Sequence, residues 1–238
     1  MNLTIAWITA RALLGRRRVL LLLPFPVLVV GLTLIAHAIK PDAASDWAEP
    51  IIDHLGFGVM VPVIALIVGT AVLGAEIEDG TIVHILAKPL PRREIILAKL
   101  AVAAAIIATV AAVPMFVAGT VASSVRFGFA LAAGCAVAAL GYSAVFLVLS
   151  LLTRRPVLIG LVYVLLWEGL LGNLLASTRE LSIRQYAATV ADRIAPSDLL
   201  QTHVGLPVAI VMSAVFLVGG TLVAIDRLRS FTLTGETS

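Results

Sequence analysis

Of the 238 residues, 61% are hydrophobic and only 13% charged, with a formal net charge of +3 and a mean hydropathy of +1.08. A soluble domain carries about 25% charged residues and is about half apolar, so an ordinary soluble fold is excluded. The length suits roughly six membrane spans of about 20 residues each, with little left for a separate soluble domain.

The pI near 9.4 does not require a nucleic-acid partner, because Lys and Arg collect at the cytoplasmic ends of spans in such a chain. The single cysteine, Cys135, lies in "ALAAGCAVAAL" and excludes an intrachain disulfide framework or a zinc-type cluster. His37, His54, His84 and His203 are scattered, and no metal site is expected among them.

In chain order, residues 1–18 come first. "LTIAWITARALL" places Leu3, Ala6, Trp7, Ala10, Leu13 and Leu14 at helical spacing, with Arg11 and Arg16–Arg18 alongside. An interfacial helix with arginines toward anionic lipid fits this pattern, and a floppy basic tail is the alternative. The first apolar run, 19–39, is next. Arg16–Arg18, that run and "AHA" at 36–38 also imitate a cleaved leader, but the run exceeds the usual apolar core of about 7–15 residues. Retention as a first span is therefore expected.

Further apolar runs occupy 55–75, 97–124, 127–153, 156–176 and 204–225. None alternates with period two, so a barrel is excluded and helices are expected, since backbone groups in hydrocarbon must satisfy one another. The third and fourth runs are separated by little more than Arg126, which predicts a tight helical hairpin. With the N-terminus in the cytoplasm, twelve Lys and Arg fall inside and five outside. Those outside are Lys40, Arg126, Arg179, Arg184 and Arg193. Both termini are therefore expected in the cytoplasm.

Segment 177–203, expected outside, carries Ile183, Tyr186, Ala187, Val190, Ala191 and Ile194 on one helical face. Arg184, Gln185, Thr189, Asp192 and Arg193 oppose them. Ser182 with Gln185, and Ser177 with Glu180, have capping-box spacing, and Pro196 ends the helix. Amphipathic helices lying on the membrane or lidding a cavity are expected here.

The loop at 76–96 reads "EIEDGTIVHILAKPLPRREII". Glu76, Glu78 and Asp79 suit a helix N-terminus, Ile82, Val83, Ile85 and Leu86 supply apolar anchors, and Lys88 and Pro89 end the segment. Pro91 suits the first position of the next helix, with Glu94 in its first turn. A short cytoplasmic helix joined to the third span by a basic elbow is predicted.

The run "E…DGT…ILAKPLPRREIILAK" resembles the signature of ABC type-2 permeases, the export-type class. Glu76, Gly80, Thr81, Pro89, Arg92, Glu94 and Lys99 stand where that pattern has its Glu, Gly-Thr, Pro, Arg, Glu and Lys. Pro91 replaces a common Ser or Thr, and Ala98 a common Gly. The order of the whole chain is similar too, as is "YVLLWEGLL" in the fifth run.

The resemblance implies an all-α membrane fold: an N-terminal amphipathic elbow helix, six transmembrane helices, a coupling helix between spans two and three, and extracellular helices between spans five and six. It also implies that 76–96 docks on a separate nucleotide-binding ATPase, with Asp79, His84 and Arg93 as further contacts, and that two permease chains pair, identical or related. No GxxxxGK[ST] phosphate loop occurs in the sequence, so ATP and Mg are expected on the ATPase and no cofactor on this chain.

Glu168 is the one acid deep in a predicted span, with Trp167 and Asn173 as candidate hydrogen-bond partners. A carboxylate there costs about 2.5–3.5 kcal/mol on insertion scales. It either lines a pathway or is a hydrogen-bonded structural group. The expected function is that of a permease subunit in a bacterial plasma membrane, exporting a hydrophobic or amphipathic substrate. A non-transporting anchor that couples an ATPase to other membrane or extracellular proteins is the alternative. An intramembrane enzyme is disfavoured, since no paired acids with His, HExxH or Ser/His set shares a depth.

Overall fold

A computed structural model describes residues 3–15, 22–78, 91–153, 155–171 and 181–230. Regular structure among these residues is helical, with no strand. Helix α1 is Leu3–Leu14 and α2 is Pro24–Ile39. A long continuous stretch then begins with α3, Ala44–Glu49, passes through a π-helix, π1, Pro50–Met60, and ends as α4, Val61–Glu78. The hairpin partners are α5, Arg92–Ala122, and α6, Val125–Leu152. Helix α7, Pro156–Val162, runs into a second π-helix, π2, Tyr163–Leu171. Helices α8, Ile183–Ile194, and α9, Leu206–Ser230, are the last two among the described residues.

Among the described residues, four helical stretches are long and apolar enough to cross a membrane: Ala44–Gly74, Arg92–Ala122, Val125–Leu152 and Leu206–Leu228. Pro24–Ile39 and Pro156–Gly169 are also apolar but shorter. Over its described length α2 has 16 residues, which at 1.5 Å per residue is about 24 Å against a hydrocarbon core of about 30 Å.

The second stretch departs most from the sequence expectation. The sequence predicts an acidic outside loop from Lys40 to His54, with Asp42, Asp46, Glu49 and Asp53, before a span at 55–75. Residues 44–54 of it are helical instead, and Asp53 is fully buried. Pro50 stands where α3 passes into π1, at the change of hydrogen-bond spacing. The third helix likewise begins early, at Arg92, with Pro91 in extended conformation as its N-cap rather than its first residue.

Helix α6 is the hub, packing on α4, α5, α8 and α9. Its ring pair Tyr142–Phe146 is stacked at 5.9 Å, and Tyr163 meets Phe146 edge-on at 6.3 Å. The α5–α6 hairpin turns at Ser123 and Ser124, and Ser124 Oγ accepts from the Phe127 N–H at 3.2 Å. Hydroxyls within the helices bond back to carbonyls of the preceding turn, as Thr33 does to Val29, Thr70 to Leu66 and Thr221 to Leu217.

The periphery is apolar. Val27, Leu32 and Ile35 of α2, Leu158 and Leu165 of the fifth run, and Ile210, Val215 and Leu222 of α9 are all exposed. A surface of this kind matches a bilayer rather than water.

Candidate functional site

Two polar clusters sit within this apolar frame. The first is organised by α8, whose C-terminal end meets the α5–α6 turn at Arg126 and whose N-terminal end, where the cluster lies, packs on Gly141 in the middle of α6. The sequence predicts α8 as an amphipathic helix with an exposed polar face. In the structure Ile183 through Thr189 are all buried, Arg184, Gln185 and Thr189 included. Burial of the polar face is tolerable because Arg184, Gln185 and Thr189 each find at least one partner. Gln185 accepts from the His203 N–H at 3.2 Å, and Thr189 donates to the Val204 carbonyl at 3.1 Å. Arg184 Nη2 pairs with Asp53 of π1 and lies 3.3 Å from His54 Nδ1.

Ser182 caps α8 by accepting from the Gln185 N–H at 3.4 Å. Its hydroxyl also donates to Glu168 Oε2 at 2.5 Å, and the Ile183 N–H donates to Glu168 Oε1 at 3.2 Å. The carboxylate thus faces the N-terminus of α8, where a helix favours negative charge. Tyr163 approaches the same carboxylate at 3.5 Å, and the buried Tyr142 hydroxyl lies close by. Trp167 does not serve Glu168: its Nε1 points to the Leu181 carbonyl at 3.4 Å. Asn173 lies outside the described residues.

Small side chains allow this insertion. A Cβ on Gly134 of α6 would stand 2.7 Å from the Ala187 carbonyl oxygen, and one on Gly58 of π1 would stand 3.6 Å from the Arg184 guanidinium carbon. The helix therefore rests directly on the backbone of Gly134, whereas Gly58 leaves room beside the arginine. Exposed contacts tether the rest of this end. Arg126 Nε donates to the Ile194 carbonyl at 3.0 Å, and Gln201 Nε2 donates to Glu49 at 2.5 Å.

The second cluster flanks residues 79–90. Lys99 is fully buried, and its Nζ donates to the Val72 carbonyl at 3.0 Å, bridging α5 to α4. The Arg92 guanidinium donates to the Leu228 carbonyl near the end of α9, a cation placed at the negative end of a helix dipole. Arg93 is exposed and Glu94 half-buried on the first turn of α5. Asp79, Gly80, Thr81, His84 and Pro89 lie outside the described residues, as does the side chain of Glu76. Of the residues expected to contact an ATPase, Lys99 and Arg92 thus face the interior of this chain.

Nothing in the sequence marks Asp53, His54, Arg184 and Ser182 as one site. Asp53 and Arg184 each read as an ordinary charge in a solvated segment, and their pairing spans 131 positions. The available signal is the unbroken helical character of 44–60. Among the described residues no group of His, Cys, Asp and Glu could hold a metal.

Comparison with curated proteins gave no match. A family model described as ABC-2 family transporter protein matches residues 15–177. That match spans more than half of the chain and takes in π1, π2 and both flanks of residues 79–90, so the chain belongs to the ABC-2 transporter family, as a membrane-spanning permease subunit.

Proposed function

We propose that this chain is the permease subunit of an ATP-driven exporter. Residues 79–90 dock on a separate ATPase subunit, which holds the ATP and Mg, and a second permease chain completes the pathway. Both termini and the Arg92 end face the bacterial cytoplasm, and the α8 end faces outward.

One observation carries the reading: the two helices that flank residues 79–90 are pinned into the bundle. Lys99 ties α5 to α4, and Arg92 ties α5 to the end of α9. Force applied to 79–90 by a moving partner would reach three helices at once. An isolated exposed loop could not do this. The substrate assignment rests on a cleft of about 330 Å³ between α6 and α9, lined by apolar groups that include Val145, Val148, Met212, Phe216 and Gly219. Such a lining suits a hydrophobic or amphipathic molecule.

Co-purification from the native membrane tests the proposal. An ATPase with a phosphate-binding loop should accompany the solubilised chain and be lost on charge reversal at Asp79 with Thr81→Asp. No ATPase in the parent preparation refutes the coupling. An ATPase that binds, with no cargo moving in proteoliposomes and none stimulating hydrolysis, assigns the chain as a non-transporting anchor.

A further inference from the structure

Two unusual spans converge on three consecutive residues. Each π-helix carries one acidic residue, Asp53 in π1 and Glu168 in π2, and both are buried. Glu168 takes the Ser182 hydroxyl and the Ile183 N–H, while Asp53 takes Arg184. The first turn of α8 is therefore held from two sides, by two different helices, through carboxylates.

We propose that these contacts form a double latch that keeps α8 in the bundle, and that the latch opens when π1 or π2 re-forms as α-helix. π-helical hydrogen bonding is uncommon and concentrates at functional sites. Here the Val61 N–H bonds the Gly56 carbonyl, five residues back. Changing that spacing to four turns one side of the helix against the other, which swings Asp53 or Glu168 away from α8.

The latch is built to open. Asp53 Oδ1 and Arg184 Nε are buried without a hydrogen-bond partner among the described residues. A buried ion pair with spare groups unsatisfied is held at a cost, and exposure to water or lipid headgroups would satisfy them. Gly58 leaves the guanidinium unobstructed on its π1 side. The C-terminal half of α8 has its own tether in Arg126, so the helix pivots rather than leaves.

The inference rests on the transport reading only for its purpose, because release of α8 would open the bundle at the outward end. Its test needs neither ATPase nor cargo. In the full chain with C135A and A188C, reconstituted in lipid nanodiscs, the rate of thiol modification at position 188 reports the outward excursion of α8. Ala188 is fully buried, so modification tracks the open population. D53N should raise the rate about tenfold or more. S182A removes one of the two Glu168 contacts, leaving the Ile183 N–H, with little change in volume, and should raise it by a smaller factor; it serves if D53N does not fold. Amide exchange should rise with the thiol rate in 50–60 and 163–171 and hold steady in α5 and α6. An unchanged rate in a folded S182A or D53N overturns the latch. A rise accompanied by equal loosening of α5 and α6 overturns it as well, since that marks general destabilisation. Failure of the latch leaves the coupling reading to be judged by co-purification alone.

Discussion

Lys99 illustrates what a residue type can and cannot reveal. The resemblance counts it with the ATPase-coupling residues because it closes the motif. Its ammonium lies instead in the interior, on the Val72 carbonyl, where the four-carbon stem packs among apolar neighbours. Lys99→Met keeps the stem and removes the donor. The expected loss is about 1.5–3 kcal/mol for a buried hydrogen bond to a charged group, seen as a lower melting temperature in detergent, with ATPase co-purification retained. Retained stability together with lost co-purification would return Lys99 to the docking surface. Glu168 is legible in the sequence as a singular residue because hydrocarbon makes any carboxylate conspicuous. Its partners are not, since Ser182 and the Ile183 N–H come from a segment that reads as an outside loop. The two roles that the sequence leaves open for it, pathway and structure, meet in a carboxylate that holds a helix in place.

At the scale of elements, hydrophobicity locates the apolar runs and Arg126 locates the hairpin, but composition hides which glycines matter. In an Ala- and Gly-rich chain small residues occur at close spacing everywhere, so the pattern carries little information. The structure selects particular ones. A Cβ on Gly128 would meet the Phe116 carbonyl oxygen and Thr120 Cγ2, both at 2.7 Å, and one on Gly119 would come within 2.8 Å of the Gly128 Cα. Backbone cannot retreat as a flexible side chain can. Gly128→Val should therefore cost at least the 1–3 kcal/mol typical of overpacking and reduce the folded yield in size-exclusion chromatography. Gly74→Val, at a position with open space where a Cβ would go, is the control and should be tolerated. The buried polar face of α8 is equally illegible. Amphipathic spacing says that a helix has two faces, and only tertiary structure says whether the polar one meets water or partners.

Over the whole molecule, one cluster involves α4, α5 and α9 and the other π1, π2 and α8, and the continuous α3–π1–α4 stretch runs through both. They share no residue, yet α6 packs against members of both. A permease that converts movement at one end into opening at the other needs this arrangement: each end fastened locally, with a common helix between them. Arg92 provides the sharpest test of the separation. It donates to the Leu228 carbonyl, one of the last acceptors of α9, and a helix end loses protection when its cap is removed. Arg92→Gln should therefore speed amide exchange in the last turn of α9 and the first turn of α5, and leave exchange in α8 unchanged while no ATPase is bound. With the ATPase and ATP present, the parent chain should show exchange rising in α8 and the variant should not, because the pull reaches α5 but is no longer shared with α9. Parallel changes at both ends of the isolated variant would mean one cooperative body, with no transmission for the Arg92 tie to control.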